Sequence, residues 1–146
     1  MKFKLIIDKE CDEEIIAKVH SASDFTSKIE NLVMSYNGNE EIIVQGDYEL
    51  LTLKYADVEC ITLIDRKLFA VANDGRKYRM SGTLSDIEKH LPSYFIRINK
   101  STLANERKIS CFKTSFSGAV DAVFISGYKD YVSRRCFAEI KRRYKV

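Results

Sequence analysis

Two histidines, His20 and His90, and four cysteines, Cys11, Cys60, Cys111 and Cys136, are all the imidazoles and thiols the sequence offers to a metal or a redox reaction. No two cysteines form a C-x-x-C pair, so zinc-finger spacing is absent. Both histidines fall on polar helical faces with nothing nearby to orient a base, and they read as solvated side chains. There is no Gly-rich phosphate loop before a helix, no G-x-S-x-G, no H-E-x-x-H and no EF-hand loop. An enzyme is therefore not expected, and neither is a cofactor or metal. No apolar run approaches the roughly 18 residues that span a bilayer. The opening MKFKLIIDKECDEE lacks a small-residue cleavage site, so no signal peptide is expected and the chain reads as cytoplasmic. The acidic cluster Glu10, Asp12, Glu13 and Glu14 matches no calcium-loop spacing and is read as the N-terminus of a helix. Cys60 and Cys111 adjoin strand-like apolar residues and are expected to be buried. Cys136 follows Arg134 and Arg135 at a helix start, where a thiol can be activated, so it is either a redox sensor or an inert thiol.

What is present is a strong charge polarity under a net charge of only +3. Residues 1–64 carry 6 Lys+Arg against 13 Asp+Glu, whereas residues 97–146 carry 12 against 4. A basic back half points to a polyanionic partner.

The pattern divides the chain softly at Asn37-Gly38-Asn39. Before it, Lys2 to Ile7 is a candidate strand, and Glu13 to His20 and Asp24 to Tyr36 have helical apolar spacing, with Asp24 as N-cap. Residues 1–40 thus read as a small βα appendage and 41–146 as the main domain. After the boundary, strands are expected over 41–44, 48–54, 58–64, 67–72, 76–80, 95–99, 108–114, 119–126 and 129–132. Gln45-Gly46-Asp47, Asn73-Asp74-Gly75, Ser117-Gly118 and Ser126-Gly127 supply turns. Thr83 and Asp86 form a capping box for a short helix that the single proline, Pro92, ends. Ser133 caps a basic C-terminal helix. Many short strands joined by hairpin turns argue for a sandwich or barrel.

Cationic side chains collect at three junctions. Arg66 and Lys67 lie between two strands, Lys100 lies in the break after Ile98, and Arg134 and Arg135 lie between the last strand and the last helix. Arg and Lys neutralise phosphates and donate to guanine in the major groove. Asn99 has the groups to pair with adenine, and Ser101 suits a phosphate oxygen. On composition alone these residues read equally well as solvated loop charges.

The order of the pieces adds a resemblance. TLSDIEKHL, then FIRINKSTLAN, then VSRR, occurring in this order, resemble the LytTR DNA-binding domain of bacterial transcription regulators, from about Glu41 to the C-terminus. The resemblance implies an elongated antiparallel β-sandwich with a short helix and a C-terminal helix. It also implies that loops between strands reach consecutive major grooves of double-stranded promoter DNA. By position, the contact loops would be Asp65-Arg66-Lys67, Asn99-Lys100-Ser101 and Ser133-Arg134-Arg135. Lys67, Asn99 and Arg135 would read bases. Asn99 stands where the family often has His and cannot become cationic. Phe95, Ile98 and Leu103 match the family as core residues, and Asn105 as a residue capping local backbone. Lys141, Arg142, Arg143 and Lys145 read as nonspecific phosphate partners or a solvated face.

Forty residues cannot form the receiver domain that many relatives carry, so phosphorylation is not the expected switch. Family binding sites usually come as repeats, which implies a homodimer. Stand-alone relatives are sometimes held inactive by a membrane protein, a second candidate partner. The rival reading is a protein-interaction module that docks on such a partner through its N-terminal region.

Overall fold

A computed structural model describes residues 1–11, 14–37 and 41–145, with side chains omitted for 34–37. Among the described residues, helix α1 runs Asp24–Asn37 and is followed by ten strands, two further α-helices and two single-turn 3-10 helices, Tyr55–Asp57 and Glu106–Lys108. The strands are β1 Glu41–Gln45, β2 Leu50–Lys54, β3 Val58–Ile64, β4 Lys67–Ala72, β5 Lys77–Met80, β6 Phe95–Asn99, β7 Thr102–Asn105, β8 Ile109–Thr114, β9 Val120–Phe124 and β10 Lys129–Val132. Helix α2, Leu84–Glu88, separates β5 from β6, and α3, Arg134–Arg143, follows β10. Seven strands make one sheet in the order β2-β1-β5-β4-β3-β7-β6, and three make a second, β10-β9-β8. Every pairing is antiparallel.

The large sheet is buried on both faces by different partners. One face gathers Val44, Tyr55, Ile61, Leu68, Ala70, Phe95 and Leu103, with Leu84 and Leu91 from the α2 region covering them. The other gathers Cys60, Val71, Ile98 and Ala104 against Val120, Ala122 and Phe124 of β9, Val132 of β10 and Ile140 of α3. This second core fixes the small sheet and the last helix to the large sheet.

Three β-bulges shape the contact between the sheets. Val58 and Cys60 oppose Ala72 and Val71, leaving Glu59 as an extra residue. Both Glu59 and Cys60 then face the small sheet. The fully buried Glu59 carboxylate accepts from the backbone N–H of Ser126 at 2.9 Å and from the Ser126 hydroxyl, so it clamps the β9–β10 turn to β3. A second bulge makes Ile98 the extra residue between Arg97 and Asn99, and a third does the same for Ser110. Asn105 is buried; it caps the N–H of Arg107 and donates to the Val58 carbonyl, both at 3.0 Å. Phe95, Ile98 and Leu103 are core, as the pattern implies.

Several expectations need correction. Residues 2–7 form no strand, and 14–20 form no helix, while residue 13 of that pattern lies outside the described residues. An amphipathic pattern folds only against a surface that buries it, and Phe3, Leu5, Ile6, Ile7, Ile15 and Ile16 are all exposed. The predicted break at Gly38-Asn39, and Asp12 of the acidic cluster, also lie outside the described residues. Asp24 is the first helical residue instead of the cap. The Ser23 carbonyl accepts the first helical bond and its N–H is held by Thr26 Oγ1. Strand β7 was not foreseen. Cys111 is exposed, because β8 is an edge strand that turns Ile109 and Phe112 to the second core and leaves Cys111 uncovered. Thr83 and Ser133 cap α2 and α3 as expected, accepting from Asp86 and Cys136 at 3.2 Å each.

Candidate nucleic-acid interface

The three basic junctions are stitched to one another by backbone hydrogen bonds. The β3–β4 turn is closed by the Ile64–Lys67 pair, and the Leu63 N–H just before it donates to the Ser101 carbonyl at 2.9 Å. The first and second junctions are therefore neighbours at one end of the large sheet. The Ser133 N–H donates to the Ile98 carbonyl at 2.8 Å, which places the third junction beside the second.

At the first junction Asp65 and Arg66 occupy a two-residue turn with φ of 51° and 64°. This mirror-image turn matches strand twist but favours Asn or Gly. An arginine held there carries a local backbone cost of about 1 kcal/mol, and in return its cation stands at the tip. Arg66 and Lys67 are both exposed.

At the second junction Lys100 is exposed and Ser101 half-buried. Arg97, three residues before Lys100 on β6, holds the loop: its guanidinium donates to the Lys100 carbonyl at 2.9 Å and pairs with Glu88 of α2 at 2.5 Å. Asn99 does not stand where a base reader must. It is 1% exposed, and its amide donates to the Tyr131 carbonyl at 2.7 Å and Asp130 Oδ1 at 3.3 Å. Its own oxygen accepts from the Ser101 N–H at 2.8 Å. Both amide hydrogens are spent internally, so Asn99 ties the second loop to β10 and has none left for adenine.

At the third junction Arg134 and Arg135 are exposed at the start of α3. Arg135 lies 3.9 Å from Glu139, an open ion pair that is easily released. Arg134 and Lys141 rim a shallow pocket of about 440 Å³ floored by Val120, Val132 and Phe137. Cys136 is half-buried and packs against the second core. At the far end of α3, Arg143 and Tyr144 both bind Glu106, so Arg143 is not a free cation. His20 and His90 are exposed. Among the described residues no group of three His, Cys, Asp or Glu could hold a metal, and no helix is long and apolar enough to cross a membrane.

Behind the loops, burial pushes the Cys60 thiol well above its ordinary range, which keeps it protonated. Burial also raises Tyr128 from 10 to about 12, with Cys60 and Asp130 adding to the shift and a hydrogen bond with Thr62 opposing it. Tyr55 and Tyr144 move the same way, again chiefly by burial. Between pH 10 and about 12 the unfolded chain has released a proton that folded Tyr128 keeps. The contribution of Tyr128 to stability is thus full below pH 10 and falls as pH rises towards 12, while Cys60, raised from an ordinary value of 9.0, begins the fall at lower pH. Denaturant titrations across this range should show that fall, and Tyr128→Phe should make it shallower.

A family model of the LytTr DNA-binding domain matches residues 48–145. The chain belongs to the LytTR DNA-binding domain family. Two Staphylococcus aureus proteins, from strains MSSA476 and MRSA252, are each 26% identical to this LytTR chain over 147 residues, covering 100% of it and 99% of their own length. Both are named as uncharacterised HTH-type transcriptional regulators. Among the described residues of this LytTR protein, strands separate all three α-helices, so no helix-turn-helix is formed. The fold matches the LytTr DNA-binding domain of a Bacillus cereus protein described as a methyl-accepting/DNA response regulator. That match has a TM-score of 0.67 at 16% identity and covers 75% of this chain and 100% of the other.

The site residues that sequence reasoning missed are the supports. Arg97 lay in plain view beside Lys100. Thr62, Thr102 and Asp130 looked like ordinary strand residues, since nothing in a single strand shows which polar side chain will meet which.

Proposed function

We propose that this LytTR protein is a transcription regulator that binds double-stranded promoter DNA sequence-specifically through its three basic junctions. Arg66 and Lys67, Lys100 and Ser101, and Arg134 and Arg135 are assigned to the duplex. Lys67 and Arg135 read bases, and the others engage phosphates. Asn99 positions the second loop. The observation that carries this reading is the pair of bonds Leu63–Ser101 and Ser133–Ile98, which gather three exposed cationic junctions at one end of the molecule. Selection of bound sequences from random duplexes tests it. A recurring motif supports the reading, whereas an unenriched pool would leave only general basicity.

Arg66→Gly separates recognition from folding. It should raise stability by up to about 1 kcal/mol by relieving the positive φ, while weakening DNA binding by removing a cation. Thermal melts and a duplex titration on the same sample read both.

A protein partner has its own support. Phe3, Leu5, Ile6, Ile7, Ile15, Ile16, Phe25 and Leu32 are exposed before the main domain begins, more apolar surface than an isolated soluble chain usually displays. The occupant we favour is a second copy, which would place two domains on repeated sites. A membrane-protein inhibitor docking on the same residues is the other reading. Deleting residues 1–38 should convert a dimer to a monomer in light scattering; a monomer both before and after would exclude the dimer.

A further inference from the structure

Behind the second and third junctions a line of polar side chains runs between the sheets and ends on one carboxylate. Thr102 Oγ1 donates to Asp130 Oδ2 at 2.6 Å. Thr102 and Thr62 hydroxyls meet at 2.7 Å in a buried contact. A hydroxyl has one hydrogen. Because Thr102 spends its hydrogen on the carboxylate, it must accept from Thr62. The charge of Asp130 thereby sets the direction of both bonds. The other oxygen, Oδ1, accepts from the Tyr131 N–H at 2.8 Å and from Asn99 at 3.3 Å. One carboxylate thus joins β10, which leads into the third junction, to β6 and β7, which flank the second.

This is an unusual place for an acid. Among the described residues no Lys or Arg pairs with Asp130, and a negative charge behind a surface that meets phosphates opposes binding. Valine at 62 and 102 would fill similar space without polar groups. Buried polar networks define geometry more than they add stability.

We propose that Asp130 is a positioning residue for DNA recognition: it fixes the placement of the Lys100–Ser101 loop relative to Arg134 and Arg135, so that both meet one duplex together. This rests on the DNA-binding reading above.

The test compares the affinity of the full chain for a selected duplex and for a random duplex of equal length, at one salt concentration. Simple electrostatics predicts that Asp130→Asn raises both affinities. The proposal predicts the opposite sign for the selected duplex. That affinity should fall about tenfold, as expected for loss of a hydrogen bond to a charged group, while random-duplex affinity holds or rises. Thr102→Val should reproduce the loss and Thr102→Ser should restore binding. A double-mutant cycle of Asp130→Asn with Arg135→Ala on the selected duplex should be non-additive, because Asp130 acts through the placement of the base reader that follows β10. If both affinities rise together, or neither changes, or both fall in step with the folded fraction, Asp130 is not a positioning residue. If the unaltered protein binds the two duplexes equally, the DNA-binding reading itself fails and the proposal falls with it.

Discussion

Phe124→Ala is expected to lower the stability of the folded domain by about 3–5 kcal/mol, the range for truncating a fully buried aromatic ring. Phe124 is 1% exposed and lies at the centre of the second core, with its ring centroid 6.0 Å from that of Tyr128. It is the largest side chain buried where β9 meets the large sheet. Domains of this size have only about 5–15 kcal/mol in total, so the loss is a large share. Urea denaturation followed by circular dichroism measures it. The consequence reaches the proposed function, because β10 and α3 bring Arg134 and Arg135 into place through this core. Affinity for a selected duplex should fall with the folded fraction. A loss below about 1 kcal/mol would mean that the small sheet is not held by this packing.

The second large effect concerns recognition. Arg135→Ala should cost about 1–3 kcal/mol on the selected duplex and relax preference at one base position, as expected when a groove-reading side chain is lost. Lys100→Ala should behave differently. It should weaken selected and random duplexes alike and reduce the slope of log affinity against log salt by about 0.9, the signature of one lost phosphate contact. Titrations of both variants at several salt concentrations separate the roles. Equal losses on both duplexes for Arg135→Ala would move it to the phosphate group.

Much of the main domain was legible because its cues are local. Asn73-Asp74-Gly75 is a turn wherever it occurs, and Thr83 with Asp86 marks a helix start without reference to the rest of the chain. The misses share a non-local cause. Strand β7 is four residues long and buried at every position, so it shows no alternation to detect. The bulges at Glu59, Ile98 and Ser110 exist only in register with a neighbouring strand. Cys111 is as apolar in context as Cys60, and only the order of strands in the small sheet reveals that β8 lies at an edge. The N-terminal patterns have strand and helix periodicity, but among the described residues Phe3, Leu5, Ile6, Ile7, Ile15 and Ile16 remain exposed.

The candidate site divides in the same way. The exposed cations at 66, 67, 100, 134 and 135 could be named from charge at strand junctions, and hydrogen bonds make those junctions neighbours. The fate of Asn99 could not be read, because its partners come from about thirty residues downstream. An amide next to Lys100 and Ser101 has the groups to read adenine. Folding assigns those groups to Tyr131, Asp130 and the Ser101 backbone.

The central claim is that three strand junctions meet a single duplex together. Methylation interference on a selected duplex tests it most directly, with Lys67→Ala and Arg135→Ala run beside the unaltered chain. The expected result is interference at guanines in successive major grooves on one face of the helix, with each substitution erasing a different position. Interference at one position only, erased by neither substitution or by both alike, would contradict the claim.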